Sequence, residues 1–246
     1  MPPELLWFTL AGFIAEMIDG SLGMGYGVSA TTLLLSLGLP PAKASASVHT
    51  AEVFATGMSA AAHYRAGNVD WSLVRRLLIP GAIGAVIGAY ILTSIPGQKI
   101  KPWIAAYLLV MGILILARAT RAGEVRKEHR HLLPLGFVGG LLDAIGGGGW
   151  GPIVTGTLIA RGNQPRTTIG SVNFSEFFIT LAGAITFLLT IGISTWVPVI
   201  GLALGGSVAA PISAIVAKRI PARPLMVAVG VLVILLSLRT IFLALR

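Results

Sequence analysis

The sequence predicts an all-α polytopic membrane protein built from two inverted-topology repeats, each a glycine-broken helical hairpin followed by three transmembrane helices. Three observations support this fold class: an apolar composition, recurrent long apolar runs, and an internal repeat. The 246 residues are 55% hydrophobic and only 11% charged, whereas a soluble domain is about 25% charged. So few charges cannot cover a water-exposed surface. The composition therefore excludes a soluble enzyme, a disordered chain and a coiled coil.

Long apolar runs predict the plain transmembrane helices, because a helix needs about 20 apolar residues to cross the hydrocarbon core. These runs lie at 73–94, 101–118, 197–217 and 224–245. Two more polar helices are predicted at 43–65 and 167–190, where Ser, Thr, His, Asn and Glu are mixed with enough apolar residues to span a membrane.

Two further apolar regions, 5–38 and 132–161, are interrupted by glycines. The interruptions run from Gly20 to Gly27 and from Gly146 to Pro152. Because runs of glycine break helices, each region is predicted to form two short helical pieces that meet at an irregular turn.

The two halves of the chain are related by a shift of 124 residues. Residues 12–64 align with 136–188, and 16 of these 53 positions are identical. The matched pairs include Asp19 with Asp143 and Glu52 with Glu176. Shared membrane composition explains matched Gly and Leu, but matched acidic residues in one register are hard to obtain that way. We therefore predict a first transmembrane repeat at 1–120, a basic cytoplasmic linker at 121–131 and a second repeat at 132–246.

The distribution of basic residues favours an inverted second repeat. If each broken region enters and leaves on one side, 13 Lys and Arg face the cytoplasm and 5 face outward. If each broken region crosses once, the count becomes 10 against 8. The positive-inside rule prefers the first arrangement, which places both termini outside the cytoplasmic membrane. The net charge of +9 is thus interpreted as a topology signal, and no nucleic-acid partner is expected.

The glycine breaks are the first candidates for a binding site. A helix that restarts after a break has backbone N–H groups without intrahelical partners, and its dipole favours an anion. Paired broken helices in inverted repeats are typical of secondary transporters with a midplane site. Close helix packing through small residues is the alternative. The candidate substrate-binding residues at the breaks are Gly23, Gly25, Tyr26, Gly27, Gly147, Gly148, Gly149 and Trp150.

A polar face on the third helix of each half supplies the second set of candidates. His49, Glu52 and Thr56 share one helix face, and the repeat matches them with Asn173, Glu176 and Thr180. Ionisable groups at membrane depth usually face a cavity or a partner. The predicted substrate contacts are Ser47, His49, Ser171 and Asn173. Glu52 and Glu176 are coupling or bracing residues with equal support.

The remaining polar residues have more modest interpretations. Asp19 and Asp143 precede the glycines and are expected to satisfy backbone donors at the breaks, while Tyr26 and Trp150 either line a cavity or pack. Solvated or interfacial positions are expected for His63, Glu4 and the linker residues Glu124, Glu128, His129 and His131. With no cysteine and no hydrolase or nucleotide-binding motif, neither an enzyme, a metal site nor a cofactor is expected.

The duplicated segments resemble those of the TauE/SafE family of membrane permeases. The resemblance rests on two sets of residues. One is the pair of glycine breaks, Asp19 with Gly23–Gly27 and Asp143 with Gly147–Gly151. The other is the segment after each break, in which Pro41 precedes Ser47-Val48-His49 and Pro165 precedes Ser171-Val172-Asn173. It implies transport of a small sulfur-containing anion such as sulfite, sulfoacetate or another organosulfonate. An inside-negative membrane favours export of an anion. Proton-coupled uptake, an anion channel and an intramembrane enzyme or scaffold are the alternatives, and the apolar surface would allow a homodimer.

Overall fold

The computed structural model describes residues 3–119, 131–193, 196–216 and 222–244, and this part of the chain is helical without a β-strand. The first half contains α1 (Pro3–Leu22), α2 (Tyr26–Ser36), α3 (Pro41–Arg65), α4 (Trp71–Ser94) and α5 (Gly97–Ala119). The second contains α6 (Leu132–Gly146), a π-helical turn (Gly151–Thr155), α7 (Gly156–Ala160), α8 (Pro165–Thr190), α9 (Trp196–Val216) and α10 (Ala222–Ala244). The all-α class is confirmed. Of the predicted linker, only His131 lies within the described residues.

Six of the described helices are long and apolar enough to cross a membrane, which confirms a polytopic membrane protein. They are α1, α4, α5, α8, α9 and α10. The polar α3, which has 25 residues, is not among them, whereas α1 is, although it carries Glu4, Glu16 and Asp19. The number of crossings in each half, and with it the inverted topology, stays a prediction.

Local sequence signals explain where several helices begin. Pro41 and Pro165 occupy the first positions of α3 and α8, where a residue without an N–H loses no helical hydrogen bond. The side chain of Asp70 precedes α4 and accepts a hydrogen bond from the N–H of Ser72 at 2.8 Å. Because α3 and α8 begin at matched prolines, their polar residues lie at the same distances from the two helix starts.

Each glycine-broken hairpin packs against the fourth helix of the other half. Helix α1 lies on α9, and α6 lies on α4. Glycines allow the backbones to touch: a Cβ on Gly205 would collide with the carbonyl oxygen of Thr9, and one on Gly84 with that of Phe137. Such close approach through small residues is the usual source of helix association in membranes. The two halves are therefore interlocked rather than laid side by side.

The third helices of the two halves cross in antiparallel directions. Near one end of the crossing Gly183 lies beside His49, and near the other Asn173 bonds to Ser59. Two helices related by a twofold axis are antiparallel only when that axis is perpendicular to them. The packing therefore supports an inverted repeat, whose sidedness in the membrane stays a prediction.

Candidate functional site

The first break separates α1 from α2. Gly23 and Gly25 adopt φ values of 66° and 127°, which side chains with a Cβ rarely tolerate. Asp19, in the last turn of α1, accepts a hydrogen bond through Oδ1 from the N–H of Tyr26 at 3.3 Å. A carboxylate at the first amide of α2 satisfies an otherwise unpaired donor, and its negative charge interacts favourably with the positive end of the helix dipole.

The second break has the same design with more glycine. Gly147, Gly148 and Gly149 all have positive φ, at 71°, 153° and 151°. Asp143 accepts a hydrogen bond through Oδ1 from the N–H of Trp150 at 2.9 Å. The two carboxylates that the repeat matches thus occupy equivalent positions, each on the first amide of the restarting helix.

The two breaks lie in direct backbone contact with each other. A Cβ on Gly27 would lie 2.8 Å from Cα of Gly148, and one on Gly151 would lie 2.5 Å from Cα of Met24. Because Met24 and Gly148 are matched by the repeat, this is one contact made twice. The hydroxyl of Thr31 also donates a hydrogen bond to the carbonyl oxygen of Gly147.

The two aromatic residues at the breaks are fully buried. The hydroxyl of Tyr26 donates to the carbonyl oxygen of Leu202 at 3.0 Å, and Nε1 of Trp150 donates to that of Val172 at 3.3 Å. Their polar atoms are therefore engaged with backbone of α9 and α8. In this conformation both rings pack in the interior.

His49 is the most completely bonded polar residue of the α3 face and has no exposed surface. Its Nε2 lies 3.2 Å from Oδ2 of Asp143, and its Nδ1 lies 2.9 Å from the carbonyl oxygen of Ser45. The ring makes an edge contact with Phe187, with centroids 5.5 Å apart. His49 and Asp143 come from different halves, so the pair joins α3 to the second break.

The matching face of α8 is bonded differently. Nδ2 of Asn173 donates to the hydroxyl oxygen of Ser59 at 3.1 Å. Oδ1 of Asn173, Oε2 of Glu176 and Oγ1 of Thr180 are buried without a hydrogen-bond partner. Buried polar groups are normally paired, so this row of oxygens marks a place where water, a proton or a ligand is expected.

The two serines of the candidate set are both buried. Ser171 donates to the carbonyl oxygen of Thr167 at 2.6 Å and accepts from the N–H of Asp70 at 2.7 Å. It thereby fixes the chain just before α4. Ser47, at the equivalent place on α3, is 2% exposed.

Five acidic residues are buried together with these groups: Glu16, Asp19, Glu52, Asp143 and Glu176. Glu52 lies within electrostatic range of Asp143, Asp19 and Glu16. Among the described residues no Lys or Arg is buried. The interior around the breaks is consequently acidic. His49 is the buried basic side chain that contacts one of these acids, Asp143.

Sequence reasoning missed some members of this interior. Glu16 is 1% exposed, and neither of its carboxylate oxygens has a partner. Because Glu16 lies one turn before Asp19, the two side chains share a helix face, and this spacing could have identified Glu16 as part of the interior. Ser45 lies one turn before His49 in the same way. Tyr107, which donates to the carbonyl oxygen of Gly148 at 3.0 Å, comes from an apolar helix and gave no local signal.

The expectation for His63 was wrong. This residue is 4% exposed, and its Nδ1 lies 3.2 Å from Nδ2 of Asn68. Asn68 in turn accepts from Nε of Arg166 at 2.5 Å. A contact between the halves therefore buries a histidine whose neighbouring sequence resembles an exposed helix end. Glu4 is exposed. The linker residues Glu124, Glu128 and His129 lie outside the described residues.

Within the described part of the chain, no group of three or more His, Asp or Glu residues is arranged to hold a metal ion.

Comparison with known proteins identifies the family. The model of the family described as Sulfite exporter TauE/SafE matches residues 8–240. The chain belongs to this family. It is 42% identical to the "Probable membrane transporter protein YtnM" of Bacillus subtilis (strain 168), over 97% of this chain and 83% of the relative.

Two further relatives are more distant. "Probable membrane transporter protein ORF9" of Sinorhizobium sp is 27% identical over 76% of this chain and 68% of its own length. "Sulfite exporter TauE/SafE family protein 3" of Arabidopsis thaliana is 31% identical over 50% of this chain and 25% of its own length. No solved structure shows a significant match. The TauE/SafE chain is thus a multi-pass membrane transporter and not an enzyme.

Proposed function

We propose that this TauE/SafE protein is a secondary transporter that carries a small sulfur-containing anion, such as sulfite, sulfoacetate or another organosulfonate, across the cytoplasmic membrane. Export is the favoured direction. The observation that carries the proposal is the backbone contact between the two glycine breaks, Gly27 against Gly148 and Gly151 against Met24. Two helix N-termini from opposite halves meet there.

The anion would be bound mainly by the backbone. Asp19 and Asp143 already occupy the first amides of the restarting helices. The next donors of these first turns are the amides of Gly27, Val28 and Gly151, since Pro152 has none. Small oxyanions suit such sites because several N–H groups can converge on their oxygens.

Binding between the breaks requires them to separate. In the described conformation there is no room for a methyl group between Gly27 and Gly148, and an oxyanion is larger. A mechanism that alternates between closed and open breaks is therefore favoured over a permanently open channel. The interlocked hairpins, α1 on α9 and α6 on α4, are the rigid bodies that would move.

Membrane potential supports export of a monoanion. Moving one elementary charge along 100 mV releases about 2.3 kcal/mol, and the cytoplasm is the negative side. Proton-coupled uptake is the second candidate, and a specific observation favours it: His49 and Asp143 form a buried pair between the halves. Glu52, Glu176 and His49 are the candidate coupling groups.

Flux into proteoliposomes tests the proposal. Purified protein should accelerate uptake of labelled sulfite, and unlabelled sulfite on the opposite side should accelerate it further, because a carrier exchanges bound substrate. Gly148→Leu should abolish the flux, because the leucine side chain prevents the breaks from closing. Gly97→Ala is the matched control, since a Cβ there meets nothing closer than 3.4 Å. The proposal fails if neither sulfite nor a sulfonate moves faster than in empty vesicles.

A further inference from the structure

The groups around Nδ1 of His49 are hydrogen-bond acceptors, and they favour a hydrogen atom on that nitrogen. Nδ1 lies 2.9 Å from the carbonyl oxygen of Ser45, which can only accept. It also lies 3.3 Å from the hydroxyl oxygen of Ser45. That hydroxyl donates its one hydrogen to the carbonyl oxygen of Ala144 at 2.8 Å, so it too presents a lone pair to the ring.

The other ring nitrogen then requires a second proton. Nε2 faces Oδ2 of Asp143 at 3.2 Å. If His49 were neutral with its hydrogen on Nδ1, a nitrogen lone pair would face a carboxylate oxygen, which is repulsive. A bond forms only if His49 is an imidazolium or if Asp143 is a carboxylic acid. In both forms the pair holds one proton more than a neutral imidazole and a carboxylate.

We propose that His49 and Asp143 form a single proton-binding site whose proton accompanies the anion through the transport cycle. The inference rests on the proton-coupled uptake mode of the proposed function, because it assigns the coupling ion of that mode at the same site. With the proton the pair is neutral. Without it the pair has one negative charge beside the second break.

The acidic surroundings explain why a proton and an anion would bind together. Glu52, Glu176 and Asp19 are buried in the same interior and lie within electrostatic range of Asp143. No buried Lys or Arg offsets these acids in the described residues. An anion that enters favours the protonated pair, and by thermodynamic reciprocity the protonated pair favours the anion.

The second half of the chain does not repeat the His49–Asp143 pair. Asn173 stands where His49 would be repeated, and Ile169 stands where Ser45 would be. Gly183 leaves room for the His49 ring, since a Cβ there would lie 3.0 Å from Cδ2, while the repeat places Ser59 at the equivalent position. Asp19, the counterpart of Asp143, therefore lacks an imidazole. One proton for each anion is expected.

Spectroscopy tests the proton without any transport. Nitrogen NMR of the full-length protein with labelled histidine reports an imidazolium at His49, and infrared spectroscopy reports a carboxylic acid at Asp143. At about pH 6 we expect one of these signals, and it should disappear in Asp143→Asn. His49→Asn assigns the NMR signal among the four histidines. A neutral His49 beside an ionised Asp143 would overturn the proposal.

Coupled flux tests the role of the proton. The probe is a simple alkyl sulfonate, which stays a monoanion across the pH range, in vesicles that contain a pH-sensitive dye. We expect proton and sulfonate to move in a one-to-one ratio without dependence on membrane potential. In Asp143→Asn proton movement should stop and any remaining sulfonate flux should become voltage-dependent, while the acceptor for Trp150 is kept.

Glu4→Gln is the control, because it removes an exposed carboxylate away from the His49–Asp143 pair. Its proton-to-sulfonate ratio should stay at one. Voltage-driven sulfonate flux without proton movement in the unmodified protein would refute the proton site but leave the transport proposal standing. Absence of any flux would refute the transport proposal, and the spectroscopic result would still decide whether the pair holds a proton.

Discussion

Gly148 lies directly against the peptide that joins Gly27 to Val28, so that a Cβ on Gly148 would overlap the Gly27 carbonyl carbon and the Val28 nitrogen. Neither glycine could be recognised as a contact partner from its own half of the chain. The relationship means that the shape of each break is determined by the other half. It also gives substitutions here a specific expected effect.

Gly27→Ala should abolish transport while the protein still folds. Its φ is not positive, so alanine fits the local backbone, but the added Cβ would lie 2.8 Å from Cα of Gly148. Overpacking of this kind costs about 1–3 kcal/mol. The measurements are sulfite flux in proteoliposomes and thermal unfolding in detergent. Gly97→Ala, where space is available, should leave both unchanged. Full flux in Gly27→Ala would mean that the breaks need not touch.

Asp19→Ala should destabilise the first break, whereas Asp19→Asn should not. The Asp19 side chain accepts the hydrogen bond from the N–H of Tyr26, and asparagine retains the acceptor oxygen. Loss of a helix-capping acceptor costs about 1 kcal/mol. Thermal unfolding of the two variants checks this. Equal destabilisation by Ala and Asn would show that the negative charge, and not the hydrogen bond, matters there.

Asn173→Ala should lower flux and cost about 1 kcal/mol of stability, because Ser59 loses its hydrogen bond from Nδ2. Its Oδ1 has no partner. If the side-chain amide rotates by 180°, Nδ2 becomes a donor at that position, and Oδ1 accepts a hydrogen bond from the Ser59 hydroxyl instead. Asn163→Ala is the control: its Nδ2 donates to the carbonyl oxygen of Leu158 at 2.9 Å. That variant should lose about 1 kcal/mol of stability and keep its flux. Unchanged flux in Asn173→Ala would remove this residue from the site.

Labelling of single cysteines should decide the topology, since the chain has none of its own. Arg223 has an exposed side chain. In the inverted arrangement Arg223→Cys reacts only from the cytoplasmic side, and in the alternative it reacts only from outside. Lys99→Cys and Arg75→Cys are controls, predicted outside and inside in both arrangements. An impermeant thiol reagent applied to intact cells and to inverted vesicles makes the distinction.

The sequence predicted the local features of the fold well. The apolar runs, Pro41 and Pro165 at helix starts, and the breaks between Leu22 and Tyr26 and before Gly151 all follow from near neighbours in the chain. Helix formation and helix breaking depend on residues within one or two turns, so a pattern of hydropathy and glycine is sufficient to place them.

The site was less accessible to sequence reasoning where partners come from the other half. The sequence singled out His49 and Asp143 separately but could not pair them, because they are separated by 94 positions. It missed Glu16 and expected His63 at the surface, since burial of these residues comes from helices of the opposite repeat. An i, i+4 spacing shows which residues share a helix face, but not what that face meets.

By itself, the sequence determined that the chain is a helical membrane protein, and it predicted two related halves that each contain a break with an acidic residue before it. These are properties of composition and short-range backbone preference. Only the tertiary structure decided that the two breaks touch, that His49 faces Asp143 while Asn173 faces Ser59, and that five acids share one interior. Such contacts depend on how the interlocked hairpins pack, and packing is set by distant residues that approach each other only after the helices have assembled.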